Sequence, residues 1–152
     1  MNPSLKEAQK LLHIKNITLQ SSYVKLGDDI DNDFLSEADI SIQTFRGVPK
    51  VREASFESDE KNWWEYLFYY SVGVRLVEEN TELEDDEVTP FVEIKGTFCA
   101  KYESTEKLTQ EHIDAFSEKN VGFNVWPYWR ELVQSSCMRL GIEPIEVPLY
   151  FC

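Results

Sequence analysis

The sequence predicts an α+β fold in which one antiparallel sheet of four strands is combined with a short N-terminal helix and a long C-terminal helix. Residues 62–78 give the clearest signal. Every even position from Trp64 to Leu76 is aromatic or aliphatic, which is typical of a strand with one buried face. Residues 125–140 have apolar residues at helical spacing. With 152 residues and no linker or repeat, the chain is expected to form a single domain over 1–152.

The N-terminal segment predicts a short helix followed by a strand. Asn2 is suited to cap the helix and Pro3 to occupy its first position, and we expect the helix to end near Lys15. Residues 16–26 alternate in polarity as a strand does, with one face formed by Ile17, Leu19 and Tyr23.

Connections of two kinds separate the remaining strands. Residues 27–47 are rich in aspartate and predict a long crossing loop with one short ordered piece, before a second strand at 50–58. The acidic segment 78–87 predicts an exposed connection between the third strand and a fourth strand at 90–103.

Two helices are expected to follow the fourth strand. The first runs from its cap, Thr109, to about Ser117. The second covers 125–140, with Asn124 as its cap and Gly141 as its stop signal.

The charge of the chain limits the partners it can have. A formal net charge of −13, from 28 acidic and 15 basic residues, argues against nucleic acid, because phosphates would be repelled. No uncharged run approaches the roughly 18 residues that a membrane helix needs. The N-terminal segment has no apolar run of the secretory type. We therefore expect a cytoplasmic protein without membrane insertion.

No motif of catalytic chemistry is found in the sequence. His13 and His112 are expected at the surface, and neither lies at metal-ligand spacing from cysteines or carboxylates. Cys99, Cys137 and Cys152 are expected to be thiols, the first two buried. We expect no catalytic residue, no metal and no cofactor. An enzyme that uses scattered carboxylates remains an alternative.

Apolar side chains on the polar side of the predicted sheet are candidates for binding. They are either covered by the crossing loop or a partner subunit, or they contact unfolded polypeptides. A small apolar ligand is a further alternative occupant. The candidate residues are Trp63, Leu67, Tyr69 and Phe91 of the strands and Phe34, Leu35 and Phe45 of the crossing loop.

The long C-terminal helix has apolar residues on more than one side, which predicts burial against a partner subunit as well as against the sheet. The residues expected in this interface are Trp126, Tyr128, Trp129, Val133 and Cys137.

Two adjacent segments at the C-terminal end carry a family resemblance. The long helix opens with Trp126-Pro127-Tyr128-Trp129-Arg130-Glu131, and an extended tail follows with Pro144-Ile145-Glu146-Val147-Pro148-Leu149. This arrangement resembles the SecB family of export chaperones. The resemblance implies a four-stranded sheet with a long helix, assembly as a homotetramer (a dimer of dimers), and holding of unfolded polypeptide clients without ATP.

The resemblance also bears on the partner that receives the client. Export members of the family contact the SecA motor through acidic residues of the sheet. At the similar positions this chain has Asn16 and Gln20, which are neutral, while Glu93 matches an acidic contact. A helix before the first strand is similar to SecB-like chaperones associated with toxin–antitoxin systems. The resemblance therefore implies a chaperone coupled either to SecA in protein export or to a dedicated client such as an antitoxin.

Overall fold

The computed structural model describes residues 2–148 and 150, and it confirms the predicted α+β fold. The predicted thiol Cys152 and the tail residue Leu149 lie outside the described residues. The elements in chain order are α1 (Pro3–Leu11), β1 (His13–Leu26), α2 (Asn32–Glu37), β2 (Ile40–Glu57), β3 (Asn62–Glu78), β4 (Val92–Ser104), α3 (Gln110–Lys119) and α4 (Val121–Leu140). The four strands form one antiparallel sheet in the order β1-β4-β3-β2.

The core lies between one face of this sheet and the helices α1, α3 and α4. We call this face the helix side and the opposite face the outer face. Even-numbered residues of β4, and those of β3 from Tyr66 to Leu76, point to the helix side and are buried, as the alternation predicts. Phe68 of β3, Tyr102 of β4 and Phe116 of α3 form an aromatic cluster with ring centres 5.0–5.4 Å apart.

The segment 27–47 is not the long loop that the sequence predicts. It contains α2, which Asp31 caps by accepting a 2.8 Å hydrogen bond from the Phe34 amide, and the first half of β2. That half pairs with β3 from Ile40 opposite Glu78 onward. An edge strand has a neighbour on one side only and buries little here, so its alternation in the sequence is weak.

One face assignment in β1 is also wrong. Ile17 and Leu19 lie on the helix side as expected, but Tyr23 lies on the outer face, opposite Lys95. The register shifts between Leu19 and Ser21. This bulge inserts one extra residue, Gln20, so every later side chain of the strand points to the other face.

Helix boundaries differ from the prediction at both ends of the chain. α1 ends at Leu11, so His13 belongs to β1. α4 begins at Val121, with Asn120 as the residue between it and α3. Asn124 is therefore not a cap. It lies inside α4, where its side chain accepts a 2.7 Å hydrogen bond from the Tyr102 hydroxyl.

His112 is buried, which corrects its assignment to the surface. It completes a capping box at the start of α3: the Thr109 hydroxyl accepts from the His112 amide, and His112 Nδ1 accepts from the Thr109 amide, both at 3.2 Å. Its Nε2 atom lies 3.4 Å from a carboxylate oxygen of Glu7 in α1. The histidine therefore connects two helices instead of facing solvent.

Candidate functional site

The middle of the outer face carries the centre of the predicted binding surface. Leu67 and Tyr69 of β3 are half-buried there, with Cys99 of β4 paired to Tyr69. Lys50 and Arg52 of β2 lie over the Tyr69 ring, with Nζ and Cζ at 4.6 and 6.0 Å from its centre. Burial raises the pKa of the Cys99 thiol, so this group contributes neutral, apolar surface.

A shallow depression lies next to this centre along the strands. Phe45 of β2 covers Gly73 of β3, where any Cβ atom would collide with the Phe45 ring. Across the sheet, Tyr23 of β1 forms the other wall. Between the two rings lie Gly73 and Lys95, whose Nζ atom is 4.9 Å from the centre of the Tyr23 ring. The next row across the sheet has the small residues Ser71 and Thr97, whose hydroxyl oxygens are 3.1 Å apart. The depression has a volume of about 320 Å³.

The remaining candidates lie at opposite ends of the sheet. Trp63 stacks on Phe56 at the start of β3, with ring centres 5.3 Å apart. At the other end, Phe34 packs edge-on against Phe91 at 5.2 Å, and Leu35 is half-buried beside the core. At about 3.3 Å per strand residue, the two ends are roughly 40 Å apart.

The seven predicted residues therefore form three separate groups and do not share one face: Leu35 packs against the core, and its helix α2 is tied to the end of α4, where Asn32 accepts a 2.9 Å hydrogen bond from the Glu143 amide. The structure brings Leu67 and Tyr69 together with Phe45 nearby, joins Phe34, Leu35 and Phe91, and leaves Trp63 at the tip of the β2–β3 hairpin. Sequence reasoning missed two aromatic members of the face. The sequence places Tyr23 on the helix side, because its alternation does not show the β1 bulge that moves this residue to the outer face. Phe56 was overlooked, although its pairing position opposite Trp63 follows from the hairpin.

The predicted interface residues of α4 divide into two groups. Trp129, Val133 and Cys137 are buried in the core of their own chain. Their side chains are therefore already shielded from solvent without a partner subunit. Trp126 is half-buried and Tyr128 is 49% exposed. A partner subunit could therefore contact α4 only through residues outside this buried stripe, such as those on the flank that bears Tyr128.

That flank continues onto β1. Leu132 and Leu19 meet above Gly96 of β4, where an added Cβ would lie 3.0 Å from Leu132 and 3.7 Å from Leu19. Tyr128 lies one helical turn before Leu132 on the same flank. The helix side of β1 adds further exposed aliphatic side chains. We call the whole set the flank surface: Ile14, Leu19, Val24, Tyr128 and Leu132.

On the other flank of α4, the C-terminal tail packs in an extended conformation. Ile145 is buried, and the Trp126 indole donates a 2.7 Å hydrogen bond to the Pro148 carbonyl. The Tyr150 ring lies 5.2 Å from that of Trp126, and Arg46 of β2 lies over Tyr150 at 4.5 Å. A cavity of about 600 Å³ lies between this tail, α4 and the β2–β3 pair.

The positions for which the resemblance implies contact with SecA are weakly charged. Asn16 and Gln20 are exposed on the edge strand β1. Asn16 is paired with Lys101, which places a positive charge beside it. Glu93 is half-buried and lies 4.0 Å from Lys95, which offsets its charge.

The acidic connection between β3 and β4 is exposed, as predicted, and Arg75 holds it on the outer face. The guanidinium donates to the Gln43 side chain at 2.8 Å and to the carbonyls of Asp85 and Leu83 at 3.2 and 3.4 Å. Within residues 2–148 and 150, no three His, Cys, Asp or Glu side chains gather as a metal site would require. In the same residues, no helix has the length and apolar character needed to cross a membrane.

Comparison with known proteins gives a match in structure and none in sequence. No family model matches the chain, and no curated protein is significantly similar to it. The chain is similar to the Mycobacterium tuberculosis SecB-like chaperone Rv1957, solved in complex with a ChAD peptide from the HigA1 antitoxin Rv1956. The identity is 13%, the TM-score is 0.70, and 99% of both chains is covered.

A second solved structure, a protein of unknown function from Streptococcus agalactiae, covers 92% of this chain and 97% of its own at 10% identity. Its TM-score of 0.40 is too low to support a conclusion about the fold. The first match, with the helix–sheet arrangement described above, shows that the protein has the fold of a SecB-like chaperone.

Proposed function

We propose that the protein is a cytoplasmic chaperone that holds a polypeptide client in an unfolded state, without ATP and as a homotetramer. One observation carries this proposal. Over 99% of both chains, and at a TM-score of 0.70, the fold is that of a SecB-like chaperone whose structure contains an antitoxin peptide. By analogy of fold, the client here is a segment of a dedicated partner protein such as an antitoxin.

The outer face has the dimensions and surface chemistry that such a client needs. Its aromatic residues run from Trp63 and Phe56 at the hairpin tip to Phe45 and Tyr23, over roughly 33 Å, which about ten residues of extended chain would cover. Each contact buries a small apolar area at about 25 cal/mol per Å², and the ordering of the client offsets part of the sum. An extended segment that contacts several groups would therefore bind more tightly than any short one.

The charge pattern favours a dedicated client over general export. Asn16 and Gln20 supply no negative charge at the implied SecA positions, and Glu93 is offset by Lys95. Exposed charge pairs contribute only about 0–1 kcal/mol each, so one remaining carboxylate cannot replace a set of them. We expect SecA to bind weakly and the double change Asn16→Asp with Gln20→Glu to strengthen it, as measured by titration calorimetry.

Suppression of aggregation tests the proposed function. A chemically denatured model protein is diluted into buffer with and without the chaperone, in the absence of nucleotide, and light scattering is followed. We expect the wild-type chain to suppress scattering. Leu67→Glu with Tyr69→Glu should abolish suppression, because two charges at the centre of the outer face would have to be desolvated against an apolar client.

The matched control adds two carboxylates on α4, at the exposed residues Phe123→Glu and Met138→Glu, and should suppress aggregation like the wild type. Equal suppression by both double variants would show that the outer face is not the client surface. A wild-type chain that suppresses the aggregation of no client would overturn the chaperone function itself.

The cavity beside the C-terminal tail supports one alternative, a domain that binds a small apolar ligand. Its volume of about 600 Å³ lies within the range of small-molecule sites, and its walls include Val72, Val74, Trp126 and Ile145. A binder of this kind would leave aggregation unchanged. It would also copurify with a ligand detectable by mass spectrometry after denaturation.

A further inference from the structure

Arg75 of β3 uses all three nitrogens of its guanidinium to bind neighbouring groups on the outer face. Nε donates to the Gln43 side chain at 2.8 Å, and the two Nη atoms donate to the carbonyls of Asp85 and Leu83 at 3.2 and 3.4 Å. Gln43, which pairs with Arg75 across β2 and β3, donates in turn to the Thr81 carbonyl at 2.9 Å. The acidic connection is therefore joined to the sheet through three of its carbonyl groups.

The acidic connection needs such a tie because its side chains repel one another. Seven of the ten residues in 78–87 are Asp or Glu. Within residues 2–148 and 150, no nitrogen of a Lys, Arg or His side chain lies within 4.0 Å of any of these seven carboxylates. Like charges at this density favour an open, solvated segment. Without Arg75 the connection would therefore move away from the sheet.

The tied connection forms one wall of a second depression on the outer face. This depression has a volume of about 340 Å³ and lies between Leu83 and Phe45. It shares Phe45 and Lys95 with the depression between Phe45 and Tyr23. Leu83 is 62% exposed and Phe45 is 50% exposed, so both present apolar surface to a bound chain. The apolar part of the outer face therefore continues past Phe45 only while the connection is in place.

We propose that Arg75 is a positioning residue for client binding. By tying the acidic connection to the sheet it holds Leu83 opposite Phe45, and an apolar side chain of the client binds between these two residues. This inference rests on the proposed function, because it adds a site to the surface that holds the client. Arg75 acts through the connection and does not itself contact the client.

The charge around the second depression favours a basic residue next to that apolar side chain of the client. The strands place three cations and one carboxylate there: Arg75, Lys95, Lys25 and Glu93. The acidic connection adds the seven carboxylates of residues 78–87, so acidic groups outnumber basic ones by eight to three. Complementary charge speeds association and disfavours a segment of the wrong sign. The client segment is therefore an apolar residue flanked by lysine or arginine.

Substitution of Arg75 separates this role from a simple effect of charge. The probe is a dye-labelled peptide of about ten residues in which lysine alternates with phenylalanine and leucine. Fluorescence anisotropy measures its affinity for the full chain. Arg75→Gln removes a cation, so charge alone would strengthen binding of this peptide. We expect instead a loss of at least about fivefold, because Leu83 is no longer held beside Phe45. Arg75→Lys keeps the charge but has one nitrogen in place of three, and it should weaken binding as well.

A double-mutant cycle shows whether Arg75 acts through Leu83. Leu83→Ala should weaken binding of the peptide by about threefold or more in the wild-type chain, because it removes apolar contact area. In the Arg75→Gln chain the same change should alter the affinity by less than about twofold. The matched control is Arg139→Gln, which removes the same charge at an exposed residue of α4. Its affinity should stay within about twofold of the wild type.

Hydrogen exchange of residues 79–91 gives a readout that does not depend on a client. It should be faster in Arg75→Gln than in the wild type, while exchange in β3 and β4 stays the same. Unchanged or tighter binding of the lysine peptide by Arg75→Gln, additive effects in the cycle, or tighter binding of a peptide with glutamate in place of lysine would overturn the inference. If the wild-type chain still suppresses aggregation in that case, the proposed function stands and only the role of Arg75 fails.

Discussion

The hydroxyl groups of three tyrosines lie in the core between the sheet and the helices. Tyr66 donates to a Glu53 carboxylate oxygen and accepts from the Leu108 amide, both at 2.8 Å. Burial is the main reason that the pKa of Tyr66 is raised to about 12. Burial also raises the pKa values of Tyr70 and Tyr102. Each group is thus kept protonated by the folded chain at a pH where the unfolded chain would ionise it.

We predict that the free energy of unfolding falls steeply as the pH rises from about 10 towards 12. Unfolded tyrosines release their protons near the ordinary pKa of 10.0, whereas Tyr66 in the folded chain does so near 12. Between these values the unfolded state binds fewer protons, so stability that is fully present below pH 10 is lost as the pH rises. Urea unfolding at a series of pH values would measure this.

Two variants separate the buried tyrosines from an exposed one. Tyr66→Phe should make the fall less steep, while Tyr23→Phe, a change at an exposed outer-face residue, should leave it unchanged. A free energy of unfolding that stays constant to about pH 12 would contradict the assignment.

At the level of single residues, the sequence predicts burial well only where the backbone is regular. The alternation of β3 correctly places Tyr66 and Tyr70 in the core. The alternation gives the wrong face for Tyr23, because the bulge at Gln20 moves the later side chains of β1 to the opposite face of the sheet. No local sequence pattern marks that bulge. The sequence predicts His112 at the surface, but its ring contacts Thr109 and Glu7 and is buried. The Glu7 contact depends on the packing of α1, which no local pattern shows.

Among the elements, α3 depends most visibly on its first turn. Thr109 closes the capping box with His112, and α3 holds Phe116 against the sheet. We predict that Thr109→Ala lowers the stability by about 1 kcal/mol, because the His112 amide loses its partner at the helix start. For a chain of this size the melting temperature should fall by roughly 2–4 °C.

Thr105→Ala is the control, since Thr105 is exposed and lies outside α3. Calorimetry should find its melting temperature within about 1 °C of the wild type. A decrease as large as that of Thr109→Ala would show that the cap contributes nothing specific.

Elements with strong burial are predictable here, and elements that depend on tertiary contacts are not. β3 and β4 have nearly the predicted bounds because both are central strands with one fully buried face. The first turn of α4 carries weak helix formers such as Gly122 and Asn124, so the sequence places its start too late. Gly122 is explained by packing: an added Cβ would lie 2.6 Å from Tyr150 of the tail.

For the whole molecule, the sequence predicts which residues are candidates but not how they are grouped. Trp129 lies on the apolar stripe of α4, and only the fold shows that it is buried within its own chain and not by a partner subunit. Trp129→Asp would therefore test folding, not assembly. One surface that remains for a partner is the flank formed jointly by α4 and β1, which no single segment of the sequence reveals.

We predict a tetramer held together in part through the flank surface. Leu19→Glu with Tyr128→Glu should dissociate it, because both residues are about half exposed in the chain and would be buried against a partner. Light scattering should give about four times the chain mass of 17.8 kDa for the wild type and a lower mass for the variant.

Leu83→Glu, at an exposed apolar residue of the acidic connection, is the control and should leave the mass unchanged. A wild-type protein that remains monomeric at micromolar concentration would contradict the prediction.

Arg75 holds the acidic connection by its main chain and not by its charges. The guanidinium donates to the carbonyls of Asp85 and Leu83, and this contact uses none of the seven carboxylates of residues 78–87. Substitutions in this segment would therefore change the charge beside the outer face while Arg75 keeps the same two carbonyl partners. The charge that the molecule presents there and the path of its backbone can for this reason vary independently of each other.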